Sequence, residues 1–303
     1  MAKEIFLCAI NNILSGNCSE DCKFCTQSIK YGAKIERYRF KDSSQIIQEA
    51  EVALKNGAIG YCLVTAGRGL DDKTTQKIAK IAYSLKEKFP KLNLIACNGT
   101  ASKEQLKILK QNGIDSYNHN LESSKEYYSK ICTTHTWQER YETALNIKEV
   151  GLNLCCGGIF GMGESKDDRD SLIESIVSLK PESVPINFYI PNSVLPIKSR
   201  NINYDEALDI IKKLRELLLD AKIMVAGGRE LIFNSVDKEL QMYEAGANSI
   251  VIGNYLTTKG AKPKSDLEHL RALGLKIAKG CDAKWYIFNF NFSTNSLALT
   301  SVC

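Results

Sequence analysis

No histidine precedes His119 in this chain of 303 residues, and only three occur in all. The scarcity matters because Cys18, Cys22 and Cys25 crowd one short segment near the N-terminus, where a structural zinc site would want a fourth Cys or His close by. Long apolar runs are missing as well. The stretch Trp285-Tyr-Ile-Phe-Asn-Phe-Asn-Phe292 is interrupted and far shorter than the roughly 18 residues that span a bilayer. Met1-Ala-Lys-Glu-Ile5 lacks the apolar core of a secretory signal, so no membrane segment is expected. Nor is there a dense basic block: the formal charge of +5 is spread along the chain, which argues against nucleic acid as a partner. Eleven cysteines would suit a disulfide scaffold only in a much shorter secreted chain, so reduced thiols and a cytoplasmic location are expected.

What is present begins with the spacing CxxxCxxC in Cys18-Ser-Glu-Asp-Cys22-Lys-Phe-Cys25. It supplies three thiolates where a cluster of four irons needs four ligands. The iron left over can bind a small molecule, so the motif reads as a cluster built for chemistry as well as electron storage. Glu20, Asp21 and Lys23 between the thiols speak against an ordinary core segment.

Further along, one unit recurs: an amphipathic helix, a glycine, then a short apolar run. Gly57, Gly113, Gly151 and Gly246 mark such junctions, each read as a loop from helix to strand. Eight strands follow, at residues 5–10, 59–65, 92–97, 114–120, 152–155, 184–189, 223–226 and 248–252, with helical spacing at 43–55, 103–110, 137–148 and 205–219 between them. Alternating strands and helices imply parallel pairing and right-handed crossovers. Eight such units fit a closed (β/α)8 TIM-type barrel over residues 1–281, with 282–303 as a tail of unknown role; a doubly wound open sheet is the alternative. In both, the site lies at the C-terminal ends of the strands. Those ends carry Cys62, Cys97, Asn118, Asn120, Cys155 and Asn187. Alternation puts Asn118 and Asn120 on one face with His119 opposite, and Cys155 and Cys156 on opposite faces. Three cysteines on neighbouring strands of one barrel point to a second, deeper metal cluster.

These residues resemble the biotin synthases, a family of radical S-adenosylmethionine (SAM) enzymes, from about Ile10 to Leu273. The resemblance rests on the cysteine motif together with Tyr117-Asn-His-Asn-Leu121, Thr136-Trp-Gln-Glu-Arg140, Cys155-Cys-Gly-Gly-Ile159, Glu182-Ser-Val-Pro-Ile-Asn187, Gly228-Arg-Glu230 and Ala245-Gly-Ala-Asn-Ser249. It implies a radical SAM sulfurtransferase in which Cys18, Cys22 and Cys25 hold a 4Fe-4S cluster chelated by SAM. Reductive cleavage gives a 5'-deoxyadenosyl radical, which abstracts hydrogen from dethiobiotin. An auxiliary cluster on Cys62, Cys97 and Cys155, 2Fe-2S in the family, donates the sulfur. By the same resemblance Phe24 packs near the adenine, Asn120 and Glu122 contact the ribose, Arg140 pairs the SAM carboxylate, and Asn118, Asn120 and Asn187 meet the ureido ring. A flavodoxin or ferredoxin reductant and a homodimer are further family expectations. His119 and His135 are read as structural or rim residues.

Three departures stand out. Glu122 replaces the family's shorter Asp, Met224 stands where an Arg usually completes the auxiliary cluster, and Cys156 stands where Ser is usual. Loss of a nitrogen ligand with gain of a thiol suggests an all-thiolate auxiliary cluster, of four irons in one reading. Cys156 is the first candidate for the added thiol, if Gly157-Gly158 allows a bulge, and Cys132 the second. Cys8, Cys281 and Cys303 receive no role. A radical methylase or mutase is the nearest competing enzyme, disfavoured by the deep thiols, and an iron-sulfur electron carrier is the reading from another class.

Overall fold

A computed structural model describes residues 4–281. Its strands are β1 (Glu4–Leu14), β2 (Gly60–Thr65), β3 (Asn93–Cys97), β4 (Ser116–Asn118), β5 (Asn153–Cys155), β6 (Gly158–Phe160), β7 (Ser183–Phe188), β8 (Lys222–Val225), β9 (Ser249–Val251) and β10 (Lys276–Ile277). All pairings are parallel, in the order β1-β2-β3-β4-β5-β7-β8-β9. Phe6, Leu7 and Cys8 of β1 then pair with Ser249, Ile250 and Val251 of β9, which closes the barrel of eight staves. The open doubly wound sheet is thereby excluded. β10 only extends the N-terminal end of β1.

β5 and β6 are two halves of one stave. Cys155 faces Ser183 and Gly158 faces Ile186, an unchanged register. Between them Gly157 meets Pro185, which has no N–H for the ladder, so the strand is interrupted there. A Cβ on Gly157 would lie 1.9 Å from the Pro185 carbonyl oxygen. The expected eight strands are all present; β6 and β10, three and two residues long, were too short to stand out as apolar runs.

Helices return the chain between the staves, among them Ser43–Lys55, Lys103–Gln111, Trp137–Glu149 and Tyr204–Leu217. Capping boxes start three of these, with Ser102 and Gln105, Thr136 and Glu139, and Asn203 and Glu206 exchanging side-chain and backbone bonds. Gly246 takes φ +120° at one helix-to-strand junction, and a Cβ there would also strike Arg215. No helix among the described residues is long and apolar enough to cross a membrane.

Burial falls into two layers. Leu7, Leu63, Leu94, Tyr117, Leu154, Val184, Ile223 and Ile250 point outward from the strands and pack under the helices. Their neighbours point inward and form a separate luminal cluster of Cys8, Cys62, Val64, Ile95, Cys155, Met224, Ala226 and Val251. Each large side chain in the outer layer contributes about 1.5–3 kcal/mol by leaving water, so the outer layer holds the barrel while the lumen is left for other work.

One buried charge cluster pins the C-terminal helices to the barrel. Arg229 is 1% exposed and bridges Asp266 and Glu239, the latter at 3.2 Å. Gly228 before it adopts φ +78°, and a Cβ there would lie 2.2 Å from the Phe188 carbonyl oxygen. Removing the guanidinium strands Asp266 in the interior and leaves Glu239 with His269 alone. Arg229→Met is expected to lower unfolding free energy by about 3–5 kcal/mol in chemical denaturation; a loss below about 1 kcal/mol would show that the cluster is not structurally required.

Candidate functional site

The loop after β1 carries the clustered thiols over the C-terminal mouth of the barrel. It leaves the strand through Gly16 and Asn17, both with left-handed φ, at +72° and +59°. It closes on itself where Cys18 N–H donates to Gln27 and Ile29 N–H donates to Cys18. Cys18, Cys22 and Cys25 are half-buried.

The charges between the thiols prove to be anchors. Asp21 Oδ1 accepts from Thr133 N–H at 2.8 Å and from Thr134 N–H at 3.2 Å, and Oδ2 accepts from the Thr133 hydroxyl. Against its desolvation, the Thr133 bonds hold the carboxyl below the usual carboxylate range. Glu20, expected at the surface, is buried with Oε2 2.6 Å from His135 Nδ1. Burial normally excludes a lone carboxylate, and the imidazole offsets it. His135 thereby ties the thiol loop to the segment after Ile131.

Cys132 joins this loop and not the lumen. Its Sγ lies 3.7 Å from Cys22 Sγ and 3.3 Å from His135 Nδ1. The hydrogen bond from Cys22, and against burial that with His135, pull Cys132 down to about 4. The same bond, then burial, pushes Cys22 up. Among the described residues, Cys22, Cys132 and His135 are the one set of three whose ligand atoms all lie within 4.8 Å of one another. Cys18 and Cys25 are not part of that set.

Beneath the loop lies a cavity of 530 Å³. Phe24 and Cys25 line its mouth, Asn118, Asn120, Glu122 and Asn187 its middle, and Cys8, Cys62, Cys97 and Cys155 reach it from the strands. Cys62 is held neutral by the Cys97 thiol against it and by burial. Burial is the largest cause of the rise at Cys155, with Cys8 and Glu182 adding to it. Cys156, by contrast, points into the outer layer under the helices, since the register holds through Gly157 and no bulge intervenes. Neither candidate for an added thiol reaches the luminal set.

The polar residues differ in what they leave free. Arg140 donates through Nε to the Asn120 carbonyl at 2.6 Å and through a terminal nitrogen to Glu122 at 3.3 Å. Burial raises the Glu122 carboxyl, with Arg140 opposing, and its Oε2 is buried without a partner. Asn118 Oδ1 is likewise buried and unpartnered. Asn120 Oδ1 accepts from Gly157 N–H at 3.1 Å. Asn187 bridges backbone on both sides, donating to Gly158 and accepting from Gly227. His119 turns away from the cavity into the wall, its pKa lowered by burial.

Comparison with known proteins follows this geometry. Residues 12–176 match the Radical SAM superfamily and residues 185–276 the Biotin and Thiamin Synthesis associated domain. A curated biotin synthase of Sulfurovum sp. (strain NBC37-1) is 62% identical over 282 residues, covering 93% of this chain and 98% of that protein. One from Nautilia profundicola is 55% identical over 279 residues, covering 92% and 100%. Among solved structures, methylornithine synthase (PylB) superposes with TM-score 0.77 at 18% identity, covering 91% of this chain and 84% of that one, a likeness of fold.

Asp21→Ala removes the acceptor that ties the thiol loop to residues 133–134. It is expected to cost about 1–3 kcal/mol at neutral pH. Because the folded-state pKa is depressed, that stability is present above the unfolded carboxylate value and fades as pH falls through the folded one. The gap between wild type and variant in urea titrations should therefore shrink towards acid; a constant gap from neutral pH down to strongly acid pH would contradict the role.

Proposed function

The chain belongs to the biotin synthase family of radical SAM enzymes, and from that premise we propose which of its side chains serve the conversion of dethiobiotin to biotin. The supporting observation is one cavity with a thiol at its mouth, thiols at its floor and unpartnered polar atoms between. When bound, a 4Fe-4S cluster on Cys18, Cys22 and Cys25 with SAM supplies a radical able to take hydrogen from unactivated carbon, and an auxiliary cluster on Cys62, Cys97 and Cys155 supplies sulfur.

The residues present fit these groups. Phe24 offers an aromatic face at the mouth for the adenine. The free Oε2 of Glu122 is an acceptor suited to a ribose hydroxyl, and Arg140, bonded to the other oxygen, fixes the orientation of the carboxyl group. At least two of the Arg140 donors are already used, so the guanidinium acts on the SAM carboxylate as a fixed positive charge. Asn118 Oδ1 is the acceptor for a ureido N–H of the substrate, since a buried amide oxygen without a donor costs free energy until one arrives. Asn120 and Asn187 each spend an oxygen on backbone, which fixes their orientation; one lone pair on each oxygen and at least one amide hydrogen remain for ligand. Ile10, Val64, Ile95 and Val251 make the walls apolar, which keeps water from a reactive radical.

Anaerobic turnover with SAM, a reductant and dethiobiotin tests the assignment. Asn118→Ala is expected to raise the KM for dethiobiotin about tenfold, a loss of about 1.4 kcal/mol, with the KM for SAM unchanged. Glu122→Ala is expected to show the reverse pattern. Equal effects of each variant on both constants would overturn the division of roles.

A further inference from the structure

We propose that Cys8 is the fourth thiolate of the deep cluster, so that the auxiliary iron-sulfur group is held by Cys8, Cys62, Cys97 and Cys155 on four staves of the barrel. This rests on the reading above of the luminal thiols as an auxiliary cluster site. Leu7 points into the outer layer and Cys8 into the lumen, where it lines the same cavity as the other three. In the register of β1 with β2, Cys8 lies beside Gly60 and Ile10 beside Cys62, which puts Cys8 on the stave next to Cys62.

The wall has no better ligand to offer. On the arc from Cys155 round to β1, the inward residues include Ser183, Met224, Ala226 and Val251. A thioether binds iron far more weakly than a thiolate, and a neutral hydroxyl more weakly still. The cavity's one carboxylate, Glu122, is engaged by Arg140. Cys156 and Cys132 lie outside the lumen, as shown above. Cys8 is thus the remaining thiol, and space is kept for its sulfur. A Cβ on Gly60 would lie 2.7 Å from Cys8 Sγ, well inside contact distance. Packing alone would not call for that gap, because any small apolar side chain could fill the position of Cys8.

The test removes the mouth cluster first. Full-length protein carrying Cys18→Ala, Cys22→Ala and Cys25→Ala is reconstituted anaerobically with iron and sulfide, desalted, and read by iron and sulfide content and by Mössbauer spectroscopy. Adding Cys8→Ala or the near-isosteric Cys8→Ser should at least halve the retained iron or replace the all-thiolate signature with one containing a distinct iron site. Gly60→Ala, which removes no thiol but places a methyl group against the Cys8 sulfur, should act in the same direction by displacing it, whereas Cys156→Ala should change nothing. Circular dichroism identifies variants that fail to fold, and Cys8→Ser decides the matter where Cys8→Ala does not fold. Unchanged iron and spectra in folded Cys8→Ser would overturn the proposal. If Cys62→Ala then abolishes iron binding, the deep cluster stands and only the role of Cys8 falls. If the parent triple variant binds no iron, the deep-cluster reading fails with it.

Discussion

The alternation of side chains along parallel strands is the constraint on which the rest of this protein depends. In a closed barrel every second residue is sent inward, and a shift of one position exchanges lumen for outer layer. Cys155 enters the lumen and Cys156 packs under the helices for this reason alone. Asn118 and Asn120 face the cavity while His119 is turned into the wall between them. The outward residues supply the apolar burial that makes the barrel stable. Freed from that task, the inward ones can be thiols and amides.

The mouth obeys a different logic, because loops have no period to orient them. Here polar contacts to a second loop take over: Asp21 accepts from the backbone of residues 133–134, and Glu20 pairs with His135. A chain segment bearing three clustered thiols is thereby held over the cavity without a hydrophobic core of its own. The buried charges near the thiols are its scaffold.

Much of this was legible in the sequence. The glycines at residues 57, 113, 151 and 246 located four staves, short apolar runs located the other four, and the cysteine spacing located the mouth. What was not legible has physical reasons. Ile5, Phe6, Leu7, Cys8 and Ile10 form an almost unbroken apolar run, as expected for a strand covered on both faces, so nothing local tells which parity points inward. Cys8 therefore could not be assigned before the strand had neighbours. Glu20 reads as a solvated charge until His135, more than a hundred residues away, is brought against it. The positive φ of Glu122, at +66°, has no signature in a residue that rarely adopts it. The bulge that Cys156 would have needed at Gly157-Gly158 is absent, because the glycine answers a proline across the ladder and does not insert an extra residue.

That contact between Gly157 and Pro185 leaves one hydrogen bond out of the wall beside Cys155. Where a ladder bond is missing, two neighbouring strands are joined at that step by packing alone. The wall next to Cys155 therefore depends on the close fit of Gly157 against the Pro185 carbonyl, and any side chain at residue 157 would wedge the two strands apart.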